Sequence, residues 1–269
     1  MKKINVVFLL LIVIACATNP LTGRKSLNFV SNSTLFPQAF QQYSDFLKTN
    51  RVVTGTADAK RVENIGIKIK GAAQKYLSSL GQSNYLQGYQ WDYRLVDDKA
   101  VNAWCMPGGK IVIYSGILPI TQNDAGLATV MGHEVSHALA NHGAQRMSAA
   151  QLQQIGGVAV AVATGNQSAE KQQMWQQYYG LGSQVGVMLP FSRGHETEAD
   201  KIGVILMAIA GYNPDESIKF WSRMSQQSNG QKPPEFMSTH PADATRIANL
   251  QAMIPEAKAI AAKFGIVFK

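Results

Sequence analysis

The sequence predicts an α+β domain that is mostly helical, with one small antiparallel sheet beside the helix holding residues 133–137. Three observations predict it. Apolar residues recur at helical spacing through most of the chain. Apolar–polar alternation and short β-rich runs are confined to residues 89–114. The strands are therefore clustered rather than interleaved with helices, which is the pattern of α+β and not of a parallel α/β sheet. At 269 residues the chain is long enough for one large core.

Taken in order, residues 1–15 read as a signal peptide. Lys2 and Lys3 form a positive start, and Val6 to Ala15 is an unbroken apolar run. That run falls short of the about 20 residues a membrane-spanning helix needs, and suits the apolar region of a leader. It ends in Val13-Ile14-Ala15-Cys16, which resembles a bacterial lipobox, so Cys16 is the expected lipidation site. Residues 16–33 are polar and irregular and are expected to be a tether, leaving 34–269 as the folded domain. Phe36, Phe40, Tyr43 and Leu47 define a first helix, and Ile65, Ile69, Ala72, Tyr76 and Leu80 a second. Tyr89, Trp91, Tyr93 and Leu95 alternate with polar residues as a half-buried strand. Ala103 to Met106, Pro107-Gly108-Gly109 and Lys110 to Tyr114 read as strand, turn and strand.

A helix follows from about Asn123 to Asn141, with Leu127, Val130, Met131, Ala138 and Leu139 as its apolar stripe. Residues 144–190 are rich in Ala, Gln and Gly and are expected to be packed helix or an insert. A further helix runs from about Gly194 to Ala210, stopped by Gly211 and Pro214. Asn213 is the expected cap of the next one, and a last helix is expected from Pro241.

Composition excludes some functions. Apolar residues make up 46% and charged residues 16%, which is globular. The net charge is +8, but Lys and Arg are scattered with no basic run interleaved with aromatics, so nucleic acid is not an expected partner. Only Cys16 and Cys105 are present; with Cys16 lipidated, Cys105 is a lone packed thiol.

The chemistry lies in His133-Glu134-Val135-Ser136-His137. Histidines four apart share one helix face, so both imidazoles reach one ion, while Glu134 reaches the water that the ion activates. Three of the 5 histidines fall between 133 and 142. This pattern points to one zinc ion per chain and peptide hydrolysis with Glu134 as general base. A catalytic zinc needs a third protein ligand. Residues 192–200 offer His195, Glu196 and Glu198, and spacing alone leaves these open. Glu196 and Asp200 share a face, where Asp200 can orient a ligand histidine. His142 is off the metal face and reads as structural.

HEVSHALANH, followed by SRGHETEAD, resembles the paired motifs of the zinc metallopeptidase family that includes the CAAX prenyl proteases, HtpX and the Oma-type enzymes. NAWCMPGGKIVIYSG and STHPADATR match its surrounding blocks. The resemblance covers about residues 35–260 and is nearest to the family's soluble bacterial lipoproteins. It implies a zincin-like domain with Glu196 as third ligand and Asp200 supporting a ligand histidine. It also implies that Asn102-Ala103-Trp104 is a strand edge that binds substrate through backbone groups. By the same resemblance His240 approaches the metal, either to stabilise the oxyanion or to occupy its open position. Arg193 is implied in a buried ion pair or in substrate contact.

The implied protein is an outer-membrane lipoprotein facing the periplasm. Its implied substrates are unfolded or misassembled envelope proteins, and outer-membrane assembly machinery is a possible partner. The absence of long apolar segments after residue 16 departs from the prenyl proteases and HtpX and argues against intramembrane cleavage. The alternative is a chaperone-like assembly factor with an autoinhibited protease site.

Overall fold

The computed structural model describes residues 16–227 and 234–268. The expected signal peptide, residues 1–15, lies outside them. The stretch expected to be a tether is structured. β1 (Cys16–Thr18) pairs antiparallel with β2 (Lys25–Leu27), and the turn between them is bonded to the domain at Glu198. Its polar residues are partners for a buried carboxylate, which composition alone reads as solvent-facing.

α1 (Asn32–Thr49) and α2 (Ala57–Ser79) are each started by a hydroxyl cap. Ser31 accepts from the Thr34 N–H, and Thr56 from the Ala59 N–H. β3 (Val52–Val53), β4 (Asp92–Val96), β5 (Ala103–Met106) and β6 (Lys110–Tyr114) form a four-stranded sheet in the order β3-β4-β6-β5. The β5–β6 hairpin turns through Pro107 and Gly108. Gly108 adopts φ 84°, and the Gly109 N–H donates to the Met106 carbonyl, as a type II turn requires. β3–β4 and β5–β6 are antiparallel, whereas β4–β6 is parallel because β6 returns between β4 and β5. Residue alternation does not encode that pairing direction.

α1 covers one sheet face, where Tyr43 and Phe46 pack edge-on against Trp104. The other face contributes Leu95, Ile111 and Ile113 to the main core with Ile65 and Ile69 of α2.

After α3 (Leu118–Thr121), the central helix α4 (Asp124–Leu139) begins at Asn123, whose side chain accepts from the Gly126 N–H. Every residue of α4 from Gly126 to Leu139 is buried. Then come α5 (His142–Ala163), α6 (Ala169–Ser183), a π-helical turn and α7 (Leu189–Ile209). Residues 144–190 are thus largely helical, and Ile155, Val158, Val162, Tyr178 and Leu181 there are exposed. The chain closes with α8 (Glu216–Gln226), α9 (Glu235–Thr239) and α10 (Ala244–Ala262). At the start of α8 Asp215 makes no side-chain cap bond, and the Asn213 side chain accepts from the Asp215 N–H. α10 starts after Asp243, which accepts from the Arg246 N–H, and not at Pro241.

α4 and α7 touch backbone to backbone. A Cβ on Gly132 would lie 2.9 Å from the Gly203 carbonyl oxygen, and one on Gly203 would lie 3.0 Å from the His133 nitrogen. Only glycine allows this approach. The crossing sets His133 and His137 on α4 against Glu196 and Asp200 on α7. Among the described residues, no helix is long and apolar enough to cross a membrane.

Candidate metal centre

His133 and His137 lie one turn apart on α4 with their Nε2 atoms 3.0 Å from each other. Glu196, from the second turn of α7, brings its Oε2 to 3.3 Å from His133 Nε2 and its Oε1 to 3.4 Å from His137 Nε2. His240, the C-cap of α9, adds Nδ1 at 3.2 Å from His133 Nε2 and 2.8 Å from Glu196 Oε2. Its position is fixed by a chain of contacts. The His240 N–H donates to the Phe236 carbonyl, the Phe236 N–H donates to the Val101 carbonyl, and the Phe236 ring stacks on buried Trp221. The four ligand atoms all lie within 4.8 Å of one another.

Behind the cluster, His133 Nδ1 is 2.9 Å from Asp200 Oδ1. Asp200 also accepts from Arg246 Nη2 at 2.6 Å. Arg246 is 6% exposed; its guanidinium lies 3.4 Å from the Trp221 ring centre, and Nη1 is 3.4 Å from Glu196 Oε2. One buried cation therefore braces Glu196 and Asp200 together. His137 Nδ1 faces His142 Nδ1 at 2.9 Å, and His142 Nε2 is 3.0 Å from Glu198 Oε2.

These contacts set the charges. Burial and the Arg246 cation push His133 down, but hydrogen bonds to Asp200 and Glu196 outweigh them and raise it to about 9 in the metal-free protein. Burial lowers His137, with His133 adding to the effect. Burial acts to raise Glu196, yet its hydrogen bonds with His133 and His240 hold it well below the usual carboxylate range. Burial raises Glu134. Its Oε1 is buried without a hydrogen-bond partner, 3.4 Å from His240 Nε2.

The residues fit a zinc ion. Two imidazoles and a carboxylate are a catalytic zinc donor set. An acceptor stands behind His133 Nδ1, which frees its Nε2 to face the cluster. Glu134 Oε1, buried beside the cluster without a hydrogen-bond partner, is an acceptor available to a water held there.

Asn102 precedes, and Ala103 and Trp104 open, the edge strand β5. The Tyr114 N–H donates to the Asn102 carbonyl. By antiparallel alternation the backbone groups of Ala103 and Cys105 therefore face away from β6. The Asn102 side chain accepts from the Ala103 N–H, and the Trp104 side chain turns to the α1 face. Cys105 is a free thiol raised by burial, with Glu134 adding to the effect. It sits as a packed residue.

Of the two roles implied for Arg193, the buried ion pair does not form: Arg193 is exposed and lines a cavity of about 210 Å³ with Glu196 and Asp200, which leaves substrate contact as its implied role. The buried arginine is Arg246, which sequence reading left inside the STHPADATR block without a role. Its place three residues after the cap Asp243 was the available signal. Of the three third-ligand candidates, only Glu196 joins the cluster. Glu198 and His195 turn to the far side of α7, where His195 stacks on His142 at 4.0 Å.

A metallopeptidase is the class of protein that this fold and donor set define. The comparison with known sequences is specific about which. The chain belongs to peptidase family M48, whose profile matches residues 68–254. It is 39% identical over 207 residues to the mitochondrial metalloendopeptidase OMA1 of Saccharomyces cerevisiae, a match covering 74% of this chain and 57% of that one. It is 32% identical over 178 residues to human mitochondrial metalloendopeptidase OMA1, covering 62% and 33%. It is also 32% identical over 161 residues to the beta-barrel assembly-enhancing protease of Yersinia pestis, covering 58% and 33%. The chain thus spans only part of the length of the relatives it matches.

Proposed function

We propose that this chain is a zinc-dependent endopeptidase, with His133, His137 and Glu196 as metal ligands and Glu134 as general base. The observation that carries the proposal is the convergence of these ligand atoms beside the unpartnered carboxylate oxygen of Glu134. Zinc, when bound there, supplies a Lewis acid that brings the pKa of a coordinated water toward about 7. Glu134 takes the proton of the attacking water and returns it to the leaving amine. Asp200 accepts from His133 Nδ1–H and keeps the His133 Nε2 lone pair toward the metal. Substrate lies extended along β5, bonding to the outward carbonyl of Ala103 and the outward backbone groups of Cys105 and keeping its scissile carbonyl over α4.

Zinc analysis and casein cleavage test this. The wild type is expected to hold one zinc and cleave. Glu134→Gln is expected to keep the zinc and lose on the order of 10²–10⁴-fold in rate. A zinc-free wild type, or a Glu134→Gln variant as active as wild type, refutes it.

The leader at 1–15 and the lipobox at Cys16 support a lipoprotein facing the periplasm from the outer membrane, acting on unfolded or misassembled envelope proteins. The likeness to a beta-barrel assembly-enhancing protease supports that setting. Mass spectrometry finding unmodified Cys16 in the exported protein contradicts the anchor. A second reading is favoured by His240 Nδ1 lying inside the ligand cluster. In it, His240 occupies the open metal position at rest, and the chain works chiefly as a chaperone-like assembly factor. His240→Ala separates the readings. A sharp rise in casein cleavage supports restraint by His240, and a fall supports its direct use in stabilising the oxyanion.

A further inference from the structure

We infer that His142 and Glu198 are positioning residues for His137, and that the N-terminal hairpin holds them in place. The inference rests on the zinc site proposed above. The chain leaves α4 through Asn141, whose left-handed backbone (φ 56°) folds the first residue of α5 back behind His137. His142 is fully buried there, with its ring 4.9 Å from that of His137.

Where Glu198 is ionised and His142 neutral, the contacts allow one arrangement of the ring protons. An ionised Glu198 can only accept, so His142 Nε2 carries the hydrogen that spans the 3.0 Å between them. Neutral His142 then has a bare Nδ1, which can only accept. The hydrogen between the two Nδ1 atoms, 2.9 Å apart, therefore belongs to His137. His137 is left with its lone pair on Nε2, the atom that faces His133 Nε2 and Glu196. His133 gets the same tautomer directly from Asp200. α7 thus supplies a carboxylate behind each ligand histidine, one in contact and one through an intervening imidazole.

The far end of this relay is the β1–β2 turn. Asn19 Nδ2 donates to Glu198 Oε1 at 2.8 Å, the Thr22 hydroxyl donates to the same oxygen, and Arg24 Nη1 donates to Oε2 at 2.6 Å. Three donors from one turn meet one buried carboxylate. His195 lies flat on His142, their ring planes 14° apart, and bonds to Gln145 Oε1, which fixes the plane of the relay.

Zinc affinity of the full chain, measured by competition with a fluorescent chelator, tests the inference, with the melting temperature of the zinc-free protein read alongside. Gln at 142 can accept from His137 and donate to Glu198; Phe fills the same space and does neither. His142→Phe is expected to weaken zinc binding roughly 10–100-fold, and His142→Gln to stay near wild type. The pair Asn19→Ala with Thr22→Val is expected to weaken zinc binding in the same direction as His142→Phe, and it carries the test if His142→Phe does not fold. A packing role predicts instead that Phe is tolerated as well as Gln. Wild-type affinity in His142→Phe, equal losses for Phe and Gln, or no effect of the hairpin pair overturns the inference while leaving the zinc site standing. A wild type that binds no zinc overturns both.

Discussion

Replacing Gly132 with alanine probes the crossing that builds the site. The new Cβ would lie 2.9 Å from the Gly203 carbonyl oxygen, a backbone atom that no side-chain rotation can move away. The helices must separate or tilt, and overpacking of this kind costs about 1–3 kcal/mol. Alanine also returns up to about 1 kcal/mol of helix propensity. Gly71 separates the two effects: it is also in mid-helix, on α2, and a Cβ there meets nothing within 4 Å. Gly71→Ala should therefore show the propensity gain alone. The two variants should differ by about 1–3 kcal/mol, which for a chain of this size is roughly 2–12 °C in melting temperature. Urea denaturation of the zinc-free proteins measures it. Because the residue after Gly132 is His133, Gly132→Ala should also bind zinc less tightly than Gly71→Ala. Equal stability shifts for the two variants would refute the backbone-contact reasoning.

Arg246→Ala leaves Asp200 buried without its cation, and breaking such a pair costs about 3–5 kcal/mol. Denaturant midpoints check it, and Arg246→Lys should recover only part of the loss because one ammonium does not reach both carboxylates. Acid should destabilise the zinc-free protein in two stages. Burial, with nearby His142 and Arg24, holds His195 down at about 2 against an ordinary 6.5. Burial raises Glu198, but bonds from His142, Thr22 and Arg24 prevail and hold it at about 2 against 4.5. Both groups bind fewer protons folded than unfolded, so their stabilisation is complete above about pH 6.5. It declines below that through His195, and below about pH 4.5 through Glu198 as well. Melting temperature against pH reads this, and Glu198→Gln should shrink the second stage without abolishing it, because Glu196 and Asp200 are also held below their ordinary values.

Much of the site was legible because a helix imposes fixed angular spacing. His133 and His137 at i, i+4, and Glu196 and Asp200 at i, i+4, define two faces without any knowledge of how the helices pack. What spacing cannot give is which faces meet. Gly132 is by propensity a cost to α4, yet it is where α4 meets the Gly203 backbone. His240 entered through resemblance alone, since its place depends on Phe236 stacking on Trp221, a long-range contact. Arg246 and the Glu198–His142 relay were missed for the same reason: each joins elements far apart in the chain, and a polar residue destined for burial looks like a surface one until its partner is known. The residues 16–27 show this most clearly, their polarity suggesting a tether while Asn19, Thr22 and Arg24 serve a buried carboxylate.

The zinc K-edge X-ray absorption spectrum of the zinc-loaded protein tests the central claim most directly. The account predicts one zinc per chain with two or three imidazole nitrogens at about 2.0–2.1 Å, carboxylate oxygen at about 2.0–2.2 Å and no sulfur. Loss of one oxygen ligand in Glu196→Ala with the imidazole signal retained would agree. A zinc–sulfur distance near about 2.3 Å, or an unchanged spectrum in Glu196→Ala, would contradict it.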